Sequence, residues 1–372
     1  MKEILYTNPL LTPEMDQHMD KLQVILSNPV VEAAYNQAVA NVVPIIEPEG
    51  IKNLWFGTSI DDFLLYFRAW FTFLPSPDGE LGGILPFTYF YRDNPAALYF
   101  LNYLKSKSAN PRQYTCEIFD WTKEFILIRG QFMDSPDSTV YIEDWLNDPT
   151  TGMEDYIYPD WGFNSFNEFF TRELNLSANP RPIADPQDDS IVVASTDSQI
   201  NFLEADLTLT TSLKVKTRQI NVAELFAGSK YAQYFEGGTA VSCALMPYNY
   251  HHYHSPVNGK IVESQDLPGI YNGLSDETEW SNSRNMAESF TDFSIFEDFH
   301  RAYYIIETEQ YGYVGLVAVG LNTISRIMPS LIHNESIFVS PGGMPIPIKK
   351  GEEMGHFAYG GSKYPTLPKR RI

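Results

Sequence analysis

An α+β fold is predicted, with a helical N-terminal domain followed by an antiparallel β-rich domain. Apolar residues recur at helical spacing through roughly the first 175 residues, and from about residue 190 they alternate with a period of two. Between the two patterns lies "LSANPRPIADPQDDS", a Pro- and Asp-rich stretch whose apolar and Arg residues suggest an ordered crossing rather than a loose tether. The expected division is 1–160 for the helical domain and 161–372 for the β-rich one.

The helices carry their own start signals. In "TPEMDQHMDKLQVILSNPVVEAAYNQAVANVVP", Thr12 is placed as an N-cap and Pro13 at the first helical position, where its missing N–H is not needed. Asn28-Pro29 interrupts the pattern, and helical spacing resumes at Val30. "SIDDFLLYFRAWFTFLP" repeats the device, with Ser59 as cap and Asp61 and Asp62 in the first turn, where carboxylates complement the helix dipole. "NPAALYFLNYLKSK" and "RQYTCEIFDWTKEFILIRGQF" continue in kind. These aromatic stripes are expected to form a helix-bundle core rather than a ligand site. In the second half, "SIVVASTDSQINFLE", "TLTTSLKVKTRQI", "RAYYIIETEQYGYVGLVAVG" and "SIFVSPGGMPIPIKKGEEMGHFAYGG" are β-branched, alternating and punctuated by Gly, Pro and Asn, as in a sandwich or partial barrel. No internal repeat is visible.

Composition narrows the function classes. The chain has 372 residues, 44% of them hydrophobic and 14% aromatic, enough for two or three packed domains. A formal net charge of -21 repels phosphate backbones and argues against a nucleic-acid partner. It also opposes broad docking on anionic lipid, while leaving a local apolar loop free to touch a membrane. Cys116 and Cys243 form no CxxC pair, so neither a disulfide framework nor a zinc-thiolate site is expected. Asn8, Pro9 and Pro13 break up the N-terminal apolar run, which does not read as a signal peptide. No window approaches the length of about eighteen apolar residues that a membrane span requires. The expectation is a cytoplasmic protein with no membrane span.

Chemistry concentrates in "YNYHHYHSPVNG", which holds His251, His252 and His254. In a straight strand His252 and His254 share one face and His251 points the other way. Three readings stand for these residues: a metal site, solvated surface histidines, or acid–base work. No carboxylate or cysteine sits beside them at ligand spacing, so no metal is expected, and acid–base work takes precedence because an imidazole titrates near neutrality. Asp197, in "VVASTDSQI", is expected at the end of an apolar strand where it can orient an imidazole. Ser362 follows two glycines able to adopt a strained, exposed turn. Asp197, one of these histidines and Ser362 are thus a candidate triad, although spacing alone is not specific for one.

The order of these pieces resembles the phosphatidylserine decarboxylase family, proenzymes that cut themselves before a serine and convert it to a pyruvoyl group. "GFNSFNEFFTRELN" followed by "RPI" is similar to the family's F-x-x-FF-x-R-x-L…RPI segment. "VVASTDSQI" resembles the strand ending in S-P-x-D-G, with Thr196 for Pro and Ser198 for Gly. "YHHYHSPVNG" is similar to YHxxHxPxxG, and "VGLVAVGLNTISRI" to V-x-VGA-x-x-VG-x-I. "IKKGEEMGHFAYGGS" fits K-G-x-E-x-G-x-F-x-x-G-S almost position for position. The helical half, with "SNPVVEAAYNQAV" and "YPDWGFNSFNEFF", looks more like a branch that includes soluble decarboxylases of free aromatic amino acids, tryptophan among them.

The resemblance implies cleavage at Gly361–Ser362, a pyruvoyl cofactor derived from Ser362, and an amine-bearing carboxylate as substrate, either phosphatidylserine or a free amino acid. It assigns the base to His254, held by Asp197, and places His251 beside the reacting α-carbon. Family members continue past the serine with an apolar strand, whereas this chain offers "KYPTLPKRRI", whose Pro365 and Pro368 cannot complete a strand ladder. The peptide 362–372 is therefore expected to be weakly held, with maturation impaired. The rival reading is a non-catalytic ligand-binding module, since "SPVNGKIVE" with "KKGEEMGHF" also looks like the halves of a lipoyl-type domain.

Overall fold

The computed structural model describes residues 11–77 apart from 45, 48–49 and 52–54, then 90, 94, 96–97, 105–106 and 113–114, then 117–271 apart from 213–218, and finally 299–361 apart from 322, 333–334 and 337. Helices dominate the first part and antiparallel strands the second, so the α+β expectation is met.

The principal helices of the first half are α1 (Pro13–Leu26), α2 (Pro29–Ala40), α3 (Ile60–Trp70) and α4 (Glu117–Met133). Their starts follow from local chemistry. The Thr12 side chain accepts the Met15 N–H, Asn28 accepts that of Val30, and Ser59 forms a reciprocal capping box with Asp62. Trp55, Phe63, Phe67, Trp70, Phe71 and Phe125 fill a common core, with Phe63 and Phe67 edge to face at 4.8 Å. The buried His18 of α1 stacks on Trp121 of α4 at 4.8 Å, and the two exchange side-chain-to-carbonyl bonds of 2.9 and 2.8 Å. Arg129 is buried in α4 because it has a structural task. Its guanidinium donates to the carbonyls of Trp70 (2.6 Å), Phe71 (3.2 Å) and Phe73 (2.8 Å), which the end of α3 leaves without helical partners. Most of "NPAALYFLNYLKSK" lies outside the described residues. Two short helices, α5 (Ile142–Asn147) and α6 (Phe166–Phe170), lead toward the strands.

The strands that position the site begin with β1 (Gln199–Glu204) and β2 (Ala240–Ala244), an antiparallel pair. They continue with β3 (His252–His254), β4 (Gly259–Leu267), β5 (Arg301–Thr308), β6 (Gly312–Val319) and β7 (Ile324–Pro329). The last three are β8 (Ile346–Ile348), β9 (Glu353–Ala358) and β10 (Gly360–Gly361). One four-stranded sheet has the order β6-β5-β4-β8, and the other β10-β7-β9-β3. The second is antiparallel except that β10 runs parallel to β7. Tyr253, Ile261, Ala302, Tyr304, Ile306, Ile327, Met354 and Phe357 pack between the two sheets, and the Tyr253 and Tyr304 hydroxyls meet at 3.0 Å. No described helix is long and apolar enough to cross a membrane.

Candidate active site

The two glycines before Ser362 owe their place to close packing. Gly360 has φ +104°, a value open to glycine but strained for other residues. A Cβ there would lie 2.7 Å from the Cα of Gly130, so α4 and β10 meet backbone to backbone. Asn167 of α6 then treats Tyr359 as a strand partner would: its Oδ1 accepts the Tyr359 N–H at 2.9 Å and its Nδ2 donates to the Tyr359 carbonyl at 3.1 Å. The same Nδ2 reaches Asp134 at 2.7 Å, and Asp134 takes a two-pronged contact from Arg326 of β7 at 2.8 and 3.0 Å. Asn167, at the first variable position of the F-x-x-FF-x-R segment, thus fixes the backbone leading to Gly361. Ser362 itself, with residues 363–372, lies outside the described residues.

β3 pairs with β9, and β9 leads into Gly360 and Gly361. Just before β3, the His251 carbonyl accepts the Phe357 N–H at 2.8 Å. His254 donates its Nδ1–H to the Gly351 carbonyl at 3.0 Å, which leaves Nε2 as the lone-pair nitrogen of the neutral ring. Burial lowers its pKa; the Gly351 bond and the charges of Glu353 and Asp197 pull the other way without prevailing.

Asp197 does not hold His254 through a hydrogen bond. It lies in a bend ahead of β1 rather than at a strand end, because residues 191–195 follow the 254–256 stretch irregularly, with single bonds from Val193 to Pro256 and from His254 to Ser195. Its carboxylate is gripped by Arg181 of "RPI", whose Nε and Nη2 reach it at 2.8–3.0 Å, and Arg181 also bridges to Asp155 at 2.6 Å. A guanidinium fork matches a carboxylate better than one imidazole N–H does, and it outcompetes the histidine. Asp197 and His254 interact through space only.

His251 points away from its two neighbours, as strand alternation predicts. It is 3% exposed, stacks on Phe170 with centroids 3.7 Å apart, and its Nδ1 has no hydrogen-bond partner. Burial drives its pKa well below the usual value, and the nearby Arg172 adds to the effect. Arg172 is buried over the ring of Tyr156 at 4.2 Å and donates to the Tyr248 carbonyl at 2.7 Å, leaving its Nε unpartnered.

Two further constellations were not legible in the chain order. His300 joins Ser325 Oγ through Nδ1 at 2.8 Å and Asp266 through Nε2 at 2.9 Å, so a second Ser–His–Asp relay is assembled from β4, β7 and the residue before β5. Ser325 is fully buried, and its backbone pairs with Gly361. The one available signal was that Ser325 stands where the V-x-VGA-x-x-VG-x-I pattern has its last glycine. On the opposite edge of that sheet, Glu353 and His356 of β9 join His252. Burial alone would raise the Glu353 carboxyl, but the His252 imidazole and the Ser330 hydroxyl outweigh it and bring the pKa down to about 2.

Comparison with known proteins gives the family. A family model described as phosphatidylserine decarboxylase matches residues 166–369. A phosphatidylserine decarboxylase proenzyme of Fusobacterium nucleatum subsp. nucleatum is 30% identical over 237 residues, which are 63% of this chain and 69% of that protein. Phosphatidylserine decarboxylase proenzyme 3 of Schizosaccharomyces pombe is 30% identical over 245 residues, 66% of this chain but only 23% of its own length. A Clostridium novyi phosphatidylserine decarboxylase proenzyme is 26% identical over 262 residues, 70% of this chain and 80% of that protein. The matched region starts at the helix carrying Asn167, whose side chain clamps Tyr359, and runs past Gly361, so the chain belongs to the phosphatidylserine decarboxylase family, a family of pyruvoyl-dependent carboxy-lyases.

Proposed function

We propose that this chain is a proenzyme that cleaves itself between Gly361 and Ser362 and then decarboxylates phosphatidylserine. One observation carries the reading. The strand bearing His254, with His251 just before it, is hydrogen-bonded to β9, which leads through the clamped Tyr359 to the buried Gly361. In maturation His254 Nε2 takes the Ser362 hydroxyl proton as the oxygen attacks the Gly361 carbonyl carbon, and the amide nitrogen leaves with a proton, giving an ester. Loss of the Ser362 Cα proton then expels the Gly361 carboxylate. The remaining dehydroalanine takes up water and releases ammonia, and its residue becomes the pyruvoyl group. Asp197 acts at a distance, by charge, and keeps Arg181 in place.

The residues fit the mature group. His251 Nδ1 and Arg172 Nε are buried polar atoms without partners, and burial of this kind is costly unless a polar ligand completes them. When formed, the pyruvoyl carbonyl supplies the electron sink for loss of CO₂ from an amine-bearing carboxylate. His251, held neutral by burial, is placed to orient the substrate carboxylate and to return a proton to the product carbon, and Arg172 supplies a fixed positive charge close by. Phosphatidylserine is preferred over a free aromatic amino acid because the relatives above are named for it; nothing in the comparison favours the amino-acid branch or a non-catalytic module.

The test has two steps. Intact mass under denaturing conditions is expected to show a chain ending at Gly361, and the matured protein is expected to release phosphatidylethanolamine from phosphatidylserine vesicles. His251→Ala is expected to cleave normally and lose decarboxylation. A wild-type chain that stays uncut in full-length, well-folded form would refute the proposal.

A further inference from the structure

Independently of that reading, the structure assigns a divalent transition-metal site, of the zinc type, to His252, Glu353 and His356. The three ligand atoms lie within 4.8 Å of one another. His252 and His356 are direct cross-strand partners of β3 and β9, with ring centroids 4.9 Å apart. Glu353 lies three residues before His356 and would face the opposite side of a regular strand. The register slips between Glu353 and Gly355, so that Met354 turns into the core and Glu353 stays with the histidines.

The His252–Glu353 contact takes either a proton or a cation. His252 gives its Nε2–H to the Thr171 carbonyl at 3.1 Å, and in a neutral ring this fixes Nδ1 as the bare nitrogen. That Nδ1 is buried and has no hydrogen-bond partner, yet it lies 3.2 Å from Glu353 Oε1. His356 Nδ1 approaches the same oxygen at 4.0 Å. A bare His252 Nδ1 facing the Glu353 carboxylate sets acceptor against acceptor, which either a shared proton or a bound cation relieves. In a tetrahedral zinc site, bonds near 2.0–2.1 Å set neighbouring ligand atoms about 3.3 Å apart, which the His252–Glu353 separation already meets. A modest turn of the half-buried His356 ring brings in the third ligand.

Outer contacts of the kind that orient metal ligands are present. Thr171 fixes the His252 tautomer, and the Ser330 hydroxyl donates to Glu353 Oε1 at 2.6 Å. Two imidazoles and one carboxylate suit zinc, cobalt or nickel rather than calcium or magnesium. The partial exposure of Glu353 and His356 gives an ion a way in and leaves a fourth position to water. Bound there, the ion would staple β3 to β9.

The test uses the untagged full-length chain, loaded with zinc chloride, desalted and measured by elemental analysis. The wild type is expected to retain about one zinc per chain. Glu353→Gln and His356→Ala, both at partly exposed positions, are expected to keep the fold by circular dichroism and to bind at least about tenfold more weakly. Cobalt loading, which needs no variant, is expected to give the intense visible bands of a tetrahedral site. Failure of the wild type to retain zinc would leave a proton between His252 and Glu353 and overturn the assignment. Equal retention by both variants, or only the pale spectrum of hydrated cobalt, would overturn it as well.

Discussion

The Ser–His–Asp relay assembled in the structure and the Asp197–His254 pair that the motif order joins to Ser362 differ in nearly every respect. Asp266, His300 and Ser325 form a continuous hydrogen-bonded relay with both bonds under 3 Å, and its histidine and serine are buried. Asp197 and His254 lie on a more open edge, each bonded to something else, Arg181 in one case and the Gly351 carbonyl in the other. A triad judged by hydrogen bonds alone would be placed at His300. Reactivity also needs access to the reacting group, and Ser325 is fully buried with His300 buried behind it. The relay's backbone pairing with Gly361 makes it a support for the cleavage strand instead. The open edge keeps His254 Nε2 unspent.

That contrast can be broken most sharply at His254. His254→Ala is expected to slow cleavage at Gly361–Ser362 by about 10²–10⁴-fold, read from intact mass over time. Normal maturation of that variant would transfer the chemistry to the buried relay.

Acidification comes next. His251 and His254 both have folded pKa values below the ordinary 6.5, so the unfolded chain takes up their protons first as the pH falls. The stability they contribute is complete above that value and is lost below it. The melting temperature is expected to drop between about pH 7 and pH 5, and His251→Asn is expected to flatten the drop. An unchanged slope would assign the loss to the other histidines that burial lowers, His18 and His356 among them.

Ser325→Ala then tests the support role. It leaves His300 Nδ1 buried without a donor and is expected to cost about 1–3 kcal/mol in denaturant unfolding, with cleavage per folded molecule preserved. Loss of cleavage in the stable protein would make the relay catalytic. The smallest effect is expected of Asp197→Asn. Its partly exposed ion pair with Arg181 is worth about 1 kcal/mol or less, and maturation is expected to slow rather than stop. A complete block would restore the direct Asp197–His254 contact that the motif order implies.

What could be read from the chain was whatever is decided locally. Thr12, Asn28 and Ser59 cap their helices because a cap needs only the next three residues. The opposed directions of His251 and its neighbours follow from strand alternation. The motif order singles out Asp197 but not its partner, because Arg181 is sixteen residues away and competes through a geometry that no spacing reveals. Glu353 gives no sign of its partners in the chain order, since a bulge, and not the period of two, turns it toward His252 and His356. His300 and Asp266 are 34 residues apart and meet only through sheet pairing.

The Asn167 clamp on Tyr359 spans 192 positions of the chain. Contacts so distant in sequence form late, after the intervening sheets have closed. The peptides flanking Tyr359, two residues ahead of Gly361, are therefore held only once the helical half and the terminal strand have found each other. A reaction just beyond them, at Gly361–Ser362, would be timed by completion of the fold, so the cut would serve as the molecule's own record that assembly has finished.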